Sequence, residues 1–187
     1  MPDGSVRARG ADLVNLPNVI SFARLCAVPV AIWLALREQY GAAFGIFVAA
    51  GVSDGIDGWL ARRRGPSAVG AMLDPLADKA LLVSMFVTLA VTGVLPDWLA
   101  ILVVFRDVLI VGGLLLMWQL AIPVRIRPLP ISKLNTGLQL LLVAVALLHS
   151  FFAAAGVLLP VLVWAVAATT LLSGSAYVWL AARGHGR

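Results

Sequence analysis

Apolar residues in this chain come in runs about as long as a lipid bilayer is thick. They cover approximately Val14–Leu36, Ala42–Leu60, Leu73–Leu95, Trp98–Leu120, Leu134–His149 and Val157–Ala182. A helix needs about 20 residues to cross about 30 Å of hydrocarbon, and most of these runs reach that length. The fifth is short and is expected to begin near Ile131. Turn residues mark the breaks, at Gly41, Gly65-Pro66, Pro96-Asp97, Pro123 through Pro130, and Gly156. Of the 187 residues, 61% are hydrophobic and 12% charged, and mean hydropathy is +1.00. The expected fold is an all-α integral membrane protein of six transmembrane helices, forming one domain over residues 1–187 with a short cytoplasmic segment at 1–13.

Charge orients the spans. A net charge of +5 would suggest nucleic acid in a soluble protein, but here the basic residues flank apolar runs. Membrane orientation and anionic lipid account for them, and no nucleic-acid partner is expected. A cytoplasmic N-terminus gives that side Arg7, Arg9, Arg62, Arg63, Arg64, Arg125, Arg127, Lys133, Arg183 and Arg187. The opposite loops receive only Arg37, balanced by Glu38. An odd number of spans would spoil the asymmetry, so both termini are expected in the cytoplasm. Met1–Asn15 has no apolar core and carries Asp3 and Asp12, unlike a signal or transit peptide. The single cysteine, Cys26, excludes a disulfide framework and a cysteine metal site, and is expected to be a small buried hydrophobe.

Against this background the segment DGIDGWLARRRGPSAVGAMLDPLAD, from Asp54 to Asp78, stands out. Asp54 and Asp57 are three apart, Asp74 and Asp78 four apart, and on helices each pair shares a face. An ionised carboxylate at membrane depth costs roughly 2.5–3.5 kcal/mol, so four could cost on the order of 10 kcal/mol unless something binds them. Nothing in the same stretch pairs all four. The proposed topology puts Asp54 and Asp57 in the cytoplasmic third of the second span, and Asp74 and Asp78 in the first turns of the third. Asp74 before Pro75 would also suit a plain helix N-cap, and Asp54 and Asp57 could pair with Arg106 or Lys79. Neither alternative explains four carboxylates at one depth.

Carboxylate oxygens with no His or Cys nearby select Mg²⁺, Mn²⁺ or Ca²⁺ over zinc. Four can hold two ions, an arrangement suited to clamping a phosphoryl group and its leaving oxygen. Gly55, Gly58 and Gly70 let a phosphate or a flat base approach the backbone, although Gly55 serves equally well in helix packing. Arg62 can fork onto phosphate oxygens. No Ser, Cys or His lies where a covalent nucleophile would be needed, and His149 and His185 fall outside the segment, in loop or surface positions.

The pattern D-x2-D-G-x2-A-R-x7-G-x3-D-x3-D, from Asp54 through Asp57, Gly58, Ala61, Arg62, Gly70, Asp74 and Asp78, resembles the signature of the CDP-alcohol phosphatidyltransferases. Its eight positions match without gap or substitution, and a looser likeness extends over nearly the whole chain, including Asn15, Asn18 and Arg24. The resemblance implies a transferase that displaces CMP from a CDP-linked lipid with an alcohol hydroxyl. It implies Asp54, Asp57, Asp74 and Asp78 as metal ligands, with Asp78 also the catalytic general base. Gly58, Ala61, Arg62 and Gly70 would shape the CDP site. It further implies Mg²⁺ or Mn²⁺ as cofactor, CDP-diacylglycerol as donor and a homodimer, in a bacterial inner membrane with the active site at the cytoplasmic surface.

A second polar set bears on the acceptor. Arg106-Asp107 lies within the fourth span, and Arg125, Arg127 and Lys133 precede and open the fifth. A mid-span arginine is expensive alone. Arg106 either pairs with Asp107 or a motif aspartate, or joins Lys133, Arg125 and Arg127 in a site for the acceptor's phosphate; Arg125 and Arg127 could equally meet anionic headgroups. The runs around Arg106-Asp107 and Ile131–Gln139 look most like the CMP-forming cardiolipin synthases, which use phosphatidylglycerol, and next like the phosphatidylglycerophosphate synthases, which use glycerol 3-phosphate. The latter tend to have Glu for Asp107 and Lys for Asn135. A cation or proton transporter is the remote alternative, but its site would be expected near the midplane between repeated halves, and no repeat is evident.

Overall fold

The structure is a computed structural model. It describes residues 16–64, 70–119, 130–149, 151 and 153–184, and the side chains of 16–21, 54–64, 70–78, 114–118, 153–154 and 180–184 lie outside the described part. Among the described residues six helices follow in order: α1 (Leu16–Leu36), α2 (Tyr40–Arg64), α3 (Gly70–Val91), α4 (Asp97–Gln119), α5 (Pro130–Leu148) and α6 (Ala153–Gly184). Every described element is helical, and each apolar run of the sequence corresponds to one helix. By length and composition, α5 over Pro130–Leu148 and α6 over Ala155–Trp179 could cross a membrane. Phe22–Leu36, Tyr40–Ser53 and Lys79–Val91 are shorter apolar stretches among the described residues.

Two helix ends show how the chain turns. After α1, Glu38 has a φ of 59°. Its N–H donates to the Ala35 carbonyl at 3.0 Å, and the Gln39 N–H reaches back to Leu34 at 2.9 Å. Those two bonds make a Schellman cap, with Glu38 where glycine is usual. The break expected at Gly41 is therefore earlier, since Gly41 already lies in α2. After α3 the same cap recurs with a glycine: Gly93 has a φ of 74°, its N–H donates to Ala90 at 2.8 Å, and Val94 donates to Leu89 at 2.9 Å. Pro96 then accepts from Leu99 as α4 begins, at 3.0 Å.

Contacts divide the chain into two compact units, residues 1–88 and 89–187. In the first, α1 packs on α2. Ala31, Ala35, Ala43 and Ala50 are buried, and small side chains let apolar helices approach closely. Cys26, expected inside, is exposed: Arg24, Val28, Ala31 and Ala35 occupy the buried face of α1, and Cys26 falls off it. A groove of about 510 Å³ runs between α1 and α2, lined by Ala23, Arg24, Ala27, Ala49, Ala50 and Ser53 among others. The motif residues from Asp54 to Asp78 all belong to this unit.

In the second unit α5 packs on α6, and α6 on α4. Leu99 and Val103 of α4, Leu142, Val143 and Leu147 of α5, and Val166 of α6 are buried. Beside them Arg106, Asp107, Asn135, Gln139, Thr170 and Ser173 are also buried, while Ile101, Phe105, Val108, Val157, Val161 and Trp164 are exposed. A soluble protein rarely exposes so much large apolar surface while burying charge, whereas hydrocarbon surroundings account for both.

Candidate active site

Helical backbone carries the aspartate motif on both sides of one connection. Asp54, Asp57, Gly58, Ala61 and Arg62 lie in the last turns of α2, and Gly70, Asp74 and Asp78 in the first turns of α3. The three- and four-residue offsets thus fall on helices, and each aspartate pair shares a helix face. Asp74 is not an N-cap, because α3 begins four residues earlier, at Gly70. The six-residue step from Arg64 to Gly70 can span at most about 20 Å, so the end of α2 and the start of α3 stay close.

The side-chain geometry of Asp54, Asp57, Gly58, Ala61, Arg62, Gly70, Asp74 and Asp78 lies outside the described residues, as do Arg125 and Arg127. Among the described residues no group of three or more His, Cys, Asp or Glu gathers. The donor chemistry of the motif, four carboxylates on two short helical stretches, fits a hard divalent cation and does not fit zinc.

The polar centre of the second unit is fully described. Arg106, 6% exposed, donates from Nη1 to Asp107 Oδ1 at 2.9 Å. Its Nη2 donates to Ser132 Oγ on α5 at 2.7 Å and to Ser173 Oγ on α6 at 2.6 Å. Gly174 lets α6 lie against the arginine stem, since a Cβ there would sit 3.6 Å from Arg106 Cγ. One guanidinium therefore ties together three helices, with Asp107 offsetting its charge. The ion pair with Asp107, one of the pairings the sequence offered Arg106, is thus present. Breaking such a buried pair by removing one partner costs about 3–5 kcal/mol. Lys133, in the first turn of α5, is exposed.

One turn further along α5, Asn135 Oδ1 accepts from Thr169 Oγ1 at 2.8 Å and Thr170 Oγ1 at 3.0 Å. Gln139, the next turn on, is 0% exposed. Among the described residues neither its Oε1 nor its Nε2 meets a partner, and nor does Asn135 Nδ2. An unmet buried amide costs about 1–3 kcal/mol. Sequence reasoning missed Asn135, Gln139, Thr170 and Ser173 as a buried set, with half-buried Ser132 and Thr169 bonded to it. The signal was present in α5, where 132, 135 and 139 repeat at helical spacing in an otherwise apolar run. His149 sits in the turn after α5, with Nδ1 2.7 Å from the Ala146 carbonyl, in keeping with its expected loop position; His185 lies outside the described residues.

The sequence is similar to those of known proteins. Residues 14–174 match the family model of the CDP-alcohol phosphatidyltransferases. A rice protein, CDP-diacylglycerol–glycerol-3-phosphate 3-phosphatidyltransferase 1, chloroplastic, is 38% identical, over 88% of this chain and 56% of its own length. Human cardiolipin synthase (CMP-forming) is 32% identical over 87% of this chain and 60% of its own length. A Streptomyces coelicolor cardiolipin synthase (CMP-forming) is 37% identical over 52% of this chain and 49% of its own length. This chain thus spans roughly half to three-fifths of these relatives. With its eight-position motif on two helices and its match from residue 14 to 174, the chain belongs to the CDP-alcohol phosphatidyltransferase family.

Proposed function

We propose that the protein transfers a phosphatidyl group from CDP-diacylglycerol to phosphatidylglycerol, forming cardiolipin and CMP. The observation that carries this reading is the complete motif from Asp54 to Asp78, borne on the last turns of α2 and the first turns of α3. The family match runs across both compact units, which favours one catalytic domain over residues 1–187. That domain would cross the membrane six times, with both termini and the motif on the cytoplasmic side of a bacterial inner membrane. It would act as a homodimer.

Asp54, Asp57, Asp74 and Asp78 would hold two divalent ions, Mg²⁺ or Mn²⁺. When bound, these neutralise the diphosphate and stabilise departing CMP. Gly58, Ala61 and Gly70 leave room for the cytidine and diphosphate against the backbone, and Arg62 supplies a cation to the phosphate oxygens. Asp78 takes the proton from the acceptor hydroxyl as that oxygen attacks the lipid-side phosphorus and the bond to CMP breaks. Positioning and charge stabilisation supply most of the rate gain, with no covalent enzyme intermediate. Lys133, Arg125 and Arg127 meet the acceptor's phosphate. Arg106 stands with them, its charge shared with Asp107.

The relative from rice favours a second reading, in which glycerol 3-phosphate is the acceptor. Charge separates the two. Glycerol 3-phosphate brings a phosphomonoester of nearly two negative charges, which calls for more cations. Phosphatidylglycerol brings a singly charged diester and two acyl chains. The Asp107 carboxylate against Arg106 and an uncharged Asn135 make the second unit less basic, as the diester requires. The test is CMP release by the reconstituted protein with CDP-diacylglycerol and Mg²⁺ or Mn²⁺, offering each acceptor in turn. Release with phosphatidylglycerol is expected; release with glycerol 3-phosphate alone would overturn the cardiolipin reading and keep the family chemistry.

A further inference from the structure

Gln139 is a fully buried polar side chain that the proposed chemistry leaves without a task. It is 0% exposed, and neither end of its amide meets a partner among the described residues. One turn before it on α5, Asn135 is also 0% exposed; its Oδ1 is occupied by Thr169 and Thr170, and its Nδ2 has no partner among the described residues. Side chains four apart on a helix sit over one another, about 5–6 Å between Cβ atoms. One acceptor, Gln139 Oε1, and two donors, Gln139 Nε2 and Asn135 Nδ2, therefore converge on the same stretch of the α5 face.

We propose that Asn135 and Gln139 form a binding site for a neutral O–H group, accepting its proton at Gln139 Oε1 and donating to its oxygen from the two amide nitrogens. Only a group that both donates and accepts satisfies this set. A cation is disfavoured by the two NH₂ groups and an anion by the carbonyl oxygen, and Arg106 and Asp107, buried in the same unit, offset each other. Three polar partners suffice for an ordered water, which typically makes about three hydrogen bonds when buried. A hydroxyl of the acceptor alcohol has the same chemistry. The site lies one and two turns along α5 from Ser132, which holds Arg106. The water source is independent of the proposed function, whereas the alcohol source rests on it.

Two measurements on the full-length protein with Gln139→Met, which keeps volume and removes the amide, decide the matter. If a water resides there, the variant melts about 2–4 °C lower in substrate-free protein, since it loses a satisfied hydrogen-bond network. If the ligand is the alcohol, the substrate-free melting point stays or rises. The KM for a glycerol-containing acceptor then rises about 3–10-fold, without change for the analogue lacking the secondary hydroxyl or for CDP-diacylglycerol. A melting point that stays or rises together with unchanged KM values would overturn the site. Should the variant not fold, the wild-type protein decides: a density map at water-resolving resolution, with and without acceptor, must show an oxygen within hydrogen-bonding distance of the Gln139 amide, and its absence in both overturns the proposal. A protein inactive with every acceptor but destabilised by Gln139→Met would refute the proposed function and leave the site standing.

Discussion

Asp78 closes the motif in the third turn of α3, two turns inside the helix that Gly70 opens. Replacing it with Asn keeps its size and removes the proton acceptor, so Asp78→Asn should reduce turnover by about 10²–10⁴-fold. Binding of CDP-diacylglycerol, measured directly, should survive, because three carboxylates remain. A variant retaining more than a few per cent of wild-type rate would remove Asp78 from the general-base role. At this scale the sequence was most legible where residue type alone dictates chemistry, since four acids in an apolar chain demand a partner whatever the details. It was least legible where the outcome depends on which face of a helix is covered. The sequence offered Arg106 a motif aspartate, a ligand phosphate or its neighbour, and it is the packing of α4, α5 and α6 that brings Asp107, Ser132 and Ser173 to it. Cys26 looks buried by composition and is exposed, because its position on α1 points away from α2.

Helices were legible as elements because each needs a long apolar run, and α1 through α6 follow the six runs closely. Their ends were less so, because an end is set by local backbone geometry. Gly41 looked like the break between the first two helices, yet the chain turns at Glu38, which adopts a φ of 59°. A non-glycine residue in the left-handed region costs about 1–2 kcal/mol. The equivalent cap after α3 places Gly93 at a φ of 74° and avoids that cost. Glu38→Gly should therefore stabilise the protein by about 0.5–1 kcal/mol, the relief of strain being partly offset by the greater freedom of glycine in the unfolded chain. On a chain of this length that corresponds to a rise of about 1–4 °C in melting temperature. A fall would mean that the Glu38 side chain contributes more than its backbone costs.

Over the whole molecule, the distribution of aromatic and basic residues carries the membrane reading beyond the two helices that satisfy a length and hydropathy criterion. Trp33 lies beneath the Arg37 guanidinium, 5.6 Å from ring centroid to charge, at the end of α1 assigned to the outer surface. Trp98 opens α4 on that same assigned side and meets Trp164 of α6, their ring centroids 5.5 Å apart. Indole rings favour the headgroup level, and an arginine there can rest its charge on a ring while its stem stays in apolar surroundings. The α1–α2 turn should therefore be extracytoplasmic and the α2–α3 connection, next to Arg62, Arg63 and Arg64, cytoplasmic. The chain contains one cysteine, so Cys26→Ala provides a clean background for labelling. In that background Gln39→Cys should react with a membrane-impermeant maleimide on intact cells or right-side-out vesicles. Ser67→Cys should react only after the membrane is opened or inverted. Reversed labelling would invert the topology and place the aspartate motif on the outer face; labelling of both positions from one side would mean that α2 does not cross the membrane, leaving the carboxylates of Asp54 and Asp57 without the buried setting that makes a bound cation necessary.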